Sequence, residues 1–431
     1  MASLATPITI KGRYFWKGDE RFLIKGVVYQ QHNHNNEGSS SPESDLDPLA
    51  DDQLEDLRLS IPLFKELGLN TLFVYTIDET KNHDAAMDLL ADAGIYVLAS
   101  LSTSSQHIRR NSPRDSYTQD LVRHYFRAAY VMSRYANTLG LIIANEVINT
   151  PETTRAAPMI RALVRDVRRY LTHISATDEA SDDDYGWRKR PRVLPLGYSA
   201  AAVQSVLMPQ YKYFSADGGG DGGAVDFFSF NCYSWCGRSS MEMSGYSKHV
   251  SNFSSTPIPI FISEYGCTLN GPRIFQEAAA LYSPAMTPVF SGGIVYEFLR
   301  ARDDHGLVRR RTQDTDDDDD DEGNPRVCLE RTPDFASLRA SLHHVALRPP
   351  VTLSAHPLAR PAMPRSGTAF WRADQAALLP GCPLDWEEEV RVQAEDGQWV
   401  DVGREMEKIK VEDLAEAIWE RLRFGDAGLS R

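Results

Sequence analysis

Two glutamates stand where predicted strands end. Glu146 follows the apolar run 141–144 and the intervening Asn145, and Glu264 closely follows the apolar run 258–262. A carboxylic acid and a carboxylate that flank one sugar ring can break and remake a glycosidic bond, one as proton donor and the other as nucleophile. Asn145 suits a hydrogen bond to the sugar hydroxyl beside the reacting carbon. The pair is therefore the candidate catalytic centre.

Polar and aromatic side chains also collect at the ends of other predicted strands. They are Tyr29 and Gln30 on the first strand, Tyr75 on the second, Tyr233 and Trp235 on the sixth, and Tyr296 and Glu297 on the eighth. A single tyrosine at such a place is more often a packing residue. Several at one edge favour a binding site, because aromatic rings present large flat faces on which a sugar ring can stack. This edge suits a neutral sugar chain better than a phosphate or a nucleotide.

The elements that must position these residues alternate between short apolar runs and segments of helical period. The eight predicted strands are 22–30, 70–77, 96–101, 140–147, 193–199, 227–233, 259–266 and 292–299. Between them, apolar residues recur at helical spacing over 52–67, 83–93, 118–135 and 158–171. This order predicts an α/β fold, a (β/α)8 TIM barrel whose strands direct their carboxyl ends into one open mouth.

Composition excludes several classes of function. The 431 residues carry a net charge of -14, to which Asp314 and the run 316–322 contribute eight negative charges. A basic stripe for nucleic acid is missing from the sequence, and a neutral glycan needs no steering field. No stretch approaches the roughly 20 apolar residues that span a bilayer. The carboxylate chemistry needs no metal and no organic cofactor.

The barrel pattern stops near residue 308. We predict a catalytic domain over residues 1–308, an acidic disordered loop over 309–330, and a C-terminal extension of unassigned fold over 331–431. Within that extension, the Pro/Ala-rich stretch 346–364 indicates a linker, 369–402 has room for a few strands, and 411–424 has the spacing of an amphipathic helix.

Six stretches resemble the fungal β-1,3-glucanosyltransferases of glycoside hydrolase family 72. They are 24–30, 89–97, 144–147, 233–237, 262–267 and 280–297, and the likeness extends over about residues 8–308. The resemblance implies a retaining enzyme of fungal cell-wall remodelling that cleaves β-1,3-glucan and joins the new end to an acceptor glucan. It assigns Glu146 as general acid/base and Glu264 as nucleophile. The positions that would hold the glucan are Gln30, Tyr75, Asn145, Tyr233 and Tyr296.

The resemblance also implies a disulfide and a location. Cys236 and Cys267 look like a family disulfide beside the nucleophile strand. The family is extracellular and held at the cell surface by a lipid anchor, whereas the sequence here shows neither a leader peptide nor an anchor tail, so the resemblance alone leaves the location open. We expect a monomer.

Three positions depart from the family pattern. Phe73 stands where the family has arginine, and Val28 and Ser100 stand where it has aspartate. Loss of an arginine that donates to the nucleophile predicts a raised pKa for Glu264. Three functions therefore stay open: an active transferase, a retaining β-glucan hydrolase, and a catalytically impaired glucan-binding paralogue.

Overall fold

Eight parallel strands close into a barrel in the computed structural model of the chain. In chain order they are Ile24–Val28, Thr71–Val74, Tyr96–Ser100, Thr138–Asn145, Leu196–Ala201, Phe227–Asn231, Ile260–Tyr265 and Phe290–Val295. Each strand pairs with the next, and the eighth pairs with the first, placing Val295 beside Val27. The predicted (β/α)8 barrel is confirmed, and each of the eight predicted strands is present. Residues at the strands' carboxyl ends therefore share one mouth.

The structure describes residues 5–32, 45–178, 190–299, 305–313, 326–343, 345, 358–373 and 378–385. By contacts the chain divides into two units. The first contains residues 1–79 and 83–383, and the second contains residues 80–82 and 384–431. The barrel and the candidate site belong to the first unit. Of the second unit, only residues 80–82, 384 and 385 are described.

Helices follow the strands in turn. They are Leu54–Leu67, Asp84–Asp92, Pro113–Ser116, Gln119–Ser133, Ala157–Asp178, Leu207–Ser215, Tyr246–Phe253, Gln276–Leu281 and Pro333–His343. The four segments predicted to be helical are all confirmed. Local chemistry sets their ends: the Thr118 hydroxyl caps one helix by accepting from the Leu121 amide, and Gly68 ends another with a φ of 66°.

A small antiparallel sheet closes the amino-terminal end of the barrel. Its strands are Ile8–Lys11, Tyr14–Lys17 and Glu20–Phe22. Phe15 is fully buried and packs edge-to-face on Phe227 and Phe261, with ring centroids 5.7 Å and 6.2 Å away. This aromatic plug fills the end opposite the mouth, so the mouth is the open end of the barrel.

Glycine is required where the barrel closes. Gly292 on the eighth strand has a φ of 98°, and a Cβ there would lie 2.0 Å from the carbonyl oxygen of Ile24. A side chain at this position would therefore collide with the backbone of the first strand. The close approach lets the first and eighth strands pair.

A hairpin follows the eighth strand. Val308–Gln313 pairs antiparallel with Arg326–Arg331, so the interval predicted as an acidic loop begins and ends in strand, and residues 314–325 lie outside the described part. Its arginines pair with acids rather than repelling one another. Arg310 lies 3.2 Å from Asp56, and Arg331 lies 2.6 Å from Glu66, two acids of the first long helix.

Within the first unit, the C-terminal extension packs on an outer helix of the barrel. Trp371 is fully buried and its ring lies 5.0 Å from that of Tyr213. In the described residues of the segment 369–402, the only β-structure is an isolated bridge that Trp371 forms with Thr368, just before the segment. The predicted helix 411–424 and most of the predicted linker lie outside the described residues. Within the described residues, no helix is both long and apolar enough to cross a bilayer.

Candidate active site

The two candidate glutamates lie in one site at the mouth. Glu146 follows Asn145, the last residue of the fourth strand, and Glu264 is the penultimate residue of the seventh. The amide of Asn145 reaches Glu264, with Nδ2 3.5 Å from Oε1. Asn231, at the end of the sixth strand, donates to Oε1 of Glu146 over 3.0 Å and to Oδ1 of Asn145 over 3.2 Å. Two side-chain amides therefore join the two carboxyl groups.

Glu146 has an unusual backbone conformation. Its φ is 50°, in the left-handed region that residues other than glycine rarely adopt. Its N–H donates to the carbonyl of Ser199 on the fifth strand, and its own carbonyl accepts from Nη2 of Arg110, each over 2.9 Å. These two bonds hold the turn that directs Glu146 into the mouth. Such conformations often mark functional sites.

Glu264 is buried and rich in hydrogen bonds. It is 8% exposed, and its two carboxylate oxygens accept from the hydroxyl groups of Tyr75 and, over 2.7 Å, of Tyr233. Burial raises the pKa of Glu264 to about 7; the two tyrosine hydrogen bonds act against that rise, and the charge of Glu146 adds to it. The upward direction agrees with the expectation from the sequence. Near neutral pH the carboxyl group therefore exists in both forms.

Replacing Tyr75 with phenylalanine is expected to move the pH dependence of activity. The hydroxyl stabilises ionised Glu264, so its loss raises the pKa of Glu264 further above 7, by on the order of one unit for one charge-assisted bond. A nucleophile must be ionised to attack, so activity falls as pH drops through this pKa. The acid limb of the kcat/KM profile should therefore move to higher pH.

The matched control is Tyr282→Phe. Tyr282 is also buried, but its hydroxyl donates to backbone carbonyls of Ile24 and Gly293 rather than to the site. This variant is expected to lose stability and to keep the acid limb where it is in the parent. An unmoved limb in Tyr75→Phe would contradict the assigned role of that hydroxyl.

Gln30 and Tyr296 lie at the same mouth. Nε2 of Gln30 is 3.3 Å from the Tyr296 hydroxyl and donates to Oε2 of the fully buried Glu297 over 2.8 Å. The ring of Tyr296 lies 6.4 Å from that of Tyr233. The structure thus brings together all seven residues assigned to catalysis and glucan binding.

Two other strand-end aromatics have packing roles. Tyr29 is fully buried and packs edge-to-face on Phe64, with ring centroids 5.3 Å apart. Trp235 is 4% exposed and packs on Tyr246 at 5.2 Å. The more frequent packing role therefore holds for these two residues, whereas Tyr75, Tyr233 and Tyr296 are partly exposed in the mouth.

A cleft of about 460 Å³ lies beside residues that flank Glu146 or contact Glu264. Residues 100–112 of the third strand and its following loop form most of its wall, together with Tyr75, Asn145 and Val147. Hydroxyl groups and amides dominate this wall, among them Ser100, Thr103 and Asn111. A cleft of this chemistry offers hydrogen-bond partners to sugar hydroxyls directly beside the candidate catalytic residues.

The three positions that the resemblance marks as departures lie on neighbouring strands. Val28 and Phe73 are partners across the first and second strands, and both are fully buried in the barrel core. The Phe73 ring packs on Tyr75, with centroids 4.5 Å apart. Ser100, on the third strand, lines the cleft. Apolar side chains therefore fill the two core positions, and the Phe73 ring supports Tyr75.

Two residues of the site were not predicted from the sequence. Asn231 bonds Glu146 directly, and Arg110 bonds its backbone. Asn231 has the same kind of position as Asn145, at the carboxyl end of a barrel strand, so its place in the fold was a usable signal. Arg110 lies in the loop after the third strand, and nothing in its sequence neighbourhood indicates its contact.

A disulfide joins the loops after the sixth and seventh strands. Cys236 and Cys267 are bonded, with Cα atoms 5.1 Å apart. The predicted pairing is confirmed. The bond ties together the loops that follow Tyr233 and Glu264, and so braces one side of the mouth.

Removing this disulfide is expected to lower the free energy of unfolding. The 31-residue separation closes a loop whose entropy in the unfolded chain corresponds to about 3–4 kcal/mol. Chemical denaturation of the double variant Cys236→Ser/Cys267→Ser measures this loss. Cys328→Ser is the control, because Cys328 is a free cysteine in the hairpin and its loss leaves the mouth intact. Equal stability of the parent and the double variant would contradict the bracing role.

The chain is similar to known glucanosyltransferases. The chain is 42% identical over 303 residues to the 1,3-beta-glucanosyltransferase gel1 of Aspergillus fumigatus, covering 70% of this chain and 61% of that protein. It is 39% identical to the 1,3-beta-glucanosyltransferase PGA4 of Candida albicans, with the same coverage. The chain therefore spans about 61% of the length of these curated relatives.

The chain is also similar to solved structures. Saccharomyces cerevisiae Gas2p in complex with laminaritriose and laminaritetraose superposes with a TM-score of 0.72 at 31% identity, covering 90% of this chain and 80% of that one. The family profile described as glucanosyltransferase matches residues 1–324. The chain therefore belongs to the glucanosyltransferases of glycoside hydrolase family 72.

Proposed function

We propose that the chain is a β-1,3-glucan transglycosylase that acts by a retaining double displacement. The observation that carries this proposal is the pair of carboxyl groups joined through Asn145 and Asn231 at one barrel mouth. Glu264 is the nucleophile and Glu146 the general acid/base. Retention requires the two carboxyl groups to lie about 5–5.5 Å apart. The names of its relatives, 1,3-beta-glucanosyltransferase, favour transfer over hydrolysis.

The first half of the reaction cleaves the donor glucan. A carboxylate oxygen of Glu264 bonds to the anomeric carbon as the glycosidic bond breaks, and Glu146 gives its proton to the departing oxygen. The reducing-end fragment leaves with a new hydroxyl group. The donor's other portion stays on Glu264 as an ester, so the charge of Glu264 disappears and Glu146 is left as a carboxylate.

The second half transfers the glycosyl group. Glu146 removes a proton from a hydroxyl of the acceptor glucan, whose oxygen attacks the anomeric carbon and releases Glu264 as a carboxylate. Water at the same place would give hydrolysis instead. Gln30, Tyr233 and Tyr296 hold the sugar chain, together with Tyr75 and Asn145. Gln30 is buried and the other four are partly exposed, and their positions around the two glutamates suit this role.

The proposal extends to organisation and setting. Residues 1–308 form the catalytic domain, 309–330 an acidic connection, and 331–431 a C-terminal extension. The partners are β-1,3-glucan donor and acceptor chains, with a monomer as the acting species. By analogy with its relatives, the protein works on glucan outside the cell, at the cell surface.

Incubation with a reduced laminari-oligosaccharide tests the proposal. The reduced end blocks that terminus, so transfer gives a ladder of products both longer and shorter than the substrate. Products that are only shorter would identify a retaining β-glucan hydrolase. Binding without turnover, unchanged in Glu146→Gln and Glu264→Gln, would identify a catalytically impaired glucan-binding paralogue. Either result overturns the transferase assignment.

A further inference from the structure

Asn231 has every hydrogen-bonding group of its amide in use. It is 4% exposed. Its Nδ2 donates to Glu146 and to Asn145, and its Oδ1 lies 2.8 Å from the hydroxyl oxygen of Ser263 and 3.2 Å from that of Ser199. Both donor hydrogens and the acceptor oxygen of the amide therefore have partners.

The nucleophile fixes the orientation of this amide from one end. Ionised Glu264 only accepts hydrogen bonds, so Asn145 must turn its Nδ2 toward Glu264. The Oδ1 of Asn145 then faces Asn231 and requires a donor there. Asn231 must therefore present Nδ2, and the same NH₂ group reaches Oε1 of Glu146.

The serines are compatible with this orientation at the other end of the amide, because a hydroxyl group can donate to Oδ1. The hydroxyl oxygens of Ser199 and Ser263 lie 2.6 Å apart and share one hydrogen bond, which leaves a hydroxyl hydrogen directed at Oδ1 of Asn231. A reversed amide would place two acceptor oxygens against each other at Asn145. When Glu264 is ionised, the hydrogen bonds that join Glu264, Asn145, Asn231 and Glu146 therefore have only one arrangement of donors and acceptors.

We propose that Asn231 is a positioning residue that determines which oxygen of Glu146 carries the catalytic proton. Oε1 receives the amide hydrogen of Asn231. The hydroxyl oxygen of a carboxylic acid is a weaker acceptor than its carbonyl oxygen, so Oε1 acts as the carbonyl and the proton resides on Oε2. The inference rests on the proposed function, in which that proton passes to the leaving oxygen.

The arrangement also ties the proton's position to the charge of the nucleophile. An ionised Glu264 fixes the orientations of the Asn145 and Asn231 amides, and these orientations place the proton of Glu146 on Oε2. Proton donation then moves the proton from Oε2 to the glycosidic oxygen as that bond breaks, and Glu146 keeps a carboxylate whose Oε1 still accepts from Asn231. Oε2 is left bare, ready to take the proton of an acceptor hydroxyl.

Two variants at this position separate the proposal from a structural role. Asn231→Ala removes the donor. Asn231→Asp keeps nearly the same shape but places a second carboxyl group against Oε1, where two such groups share one proton and hold it between them. Oε2 then loses its proton. With a reduced laminari-oligosaccharide we expect kcat to fall by about 10²-fold in Asn231→Ala and by about 10³-fold in Asn231→Asp, with KM little changed.

A donor that needs no proton provides the second readout. In a β-laminaribiosyl fluoride, Glu264 bonds to the anomeric carbon as the carbon–fluorine bond breaks, and fluoride leaves with the electron pair. Fluoride released in the first turnover should fall less than about tenfold in either variant, because general-acid assistance contributes little for such a leaving group. Asn270→Asp, an exposed amide in the loop after the seventh strand, is the matched control and should behave as the parent on both donors.

The outcomes are distinct. Equal losses on the two donors, or a smaller loss in Asn231→Asp than in Asn231→Ala, would mean that Asn231 only supports the fold, and the inference would be overturned while the transferase assignment stands. A folded parent inactive on both donors overturns the proposed function and this inference with it. Greater loss in Asn231→Asp, confined to the glucan donor, supports the inference.

Discussion

Replacing Glu264 with glutamine is expected to reduce transfer between reduced laminari-oligosaccharides by on the order of 10⁴-fold or more. Glutamine has nearly the same shape and can keep contacts with Tyr75 and Tyr233. It cannot form the glycosyl ester, so the double displacement loses its intermediate. The measurement is the rate at which longer and shorter oligosaccharides appear, with circular dichroism and thermal unfolding recorded on the same preparation.

Glu277→Gln is the matched control for this variant. Glu277 is 4% exposed, and burial raises its pKa to about 7, as for Glu264. It lies on the helix Gln276–Leu281, outside the barrel mouth. The same chemical change at an equally buried glutamate should therefore leave transfer near the parent rate. Retention of more than a few per cent of transfer in Glu264→Gln would rule out this residue as the nucleophile.

The barrel and much of its mouth could be predicted from the sequence because their signals are local. Buried parallel strands appear as continuous apolar runs, and the helices between them keep a 3.6-residue period. Placing Glu146 and Glu264 at strand ends then follows from the barrel alone. Their assigned roles needed the family resemblance, since a glutamate at a strand end is equally compatible with helix capping.

The role of Asn231 could not be predicted because it depends on distant partners. Its contacts to Asn145 and Glu146 join residues 86 and 85 positions apart, and its contact to Ser263 spans 32. The backbone of Glu146 is a similar case. Its left-handed turn is held by Ser199 and Arg110, and the residue that adopts it is a glutamate rather than the glycine or asparagine that would mark such a turn in the sequence.

The hairpin after the barrel shows how charge patterns mislead. Consecutive arginines next to an aspartate run indicated a loop, because like charges repel. In the fold, Arg310 and Arg331 meet acids of the helix Leu54–Leu67, more than 250 positions earlier in the chain. Opposite charge supplied by a distant helix compensates the local repulsion, and the strands pair.

The presence of two apolar residues, Val28 and Phe73, near Glu264 has a common physical explanation. An unpaired charge left at a buried position is costly, whereas a packed apolar pair is not. Val28 and Phe73 face each other across paired strands, so each fills space that the other would otherwise leave. Nearby, burial raises the pKa of Glu264 to about 7, and the hydroxyl groups of Tyr75 and Tyr233 favour its ionised form.

Replacing Glu146 with alanine should reduce transfer from glucan donors by about 10²- to 10⁴-fold, the usual contribution of general acid–base catalysis. The variant should still form the glycosyl-enzyme from β-laminaribiosyl fluoride, because fluoride leaves without a proton. The intermediate then accumulates, since no base activates the acceptor hydroxyl. Azide needs no base and fits the space that the side chain vacates, so it should restore turnover and yield a β-glycosyl azide.

The configuration of that azide decides the assignment of the two carboxylates. In Glu146→Ala, azide attacks the covalent intermediate and the product keeps the β configuration. In Glu264→Ala, azide occupies the nucleophile's place and displaces fluoride directly, which gives the α configuration. Nuclear magnetic resonance of the anomeric proton distinguishes the two products. An α azide from Glu146→Ala, or a β azide from Glu264→Ala, would reverse the roles of the two residues, because each product records the face from which its carboxylate was removed.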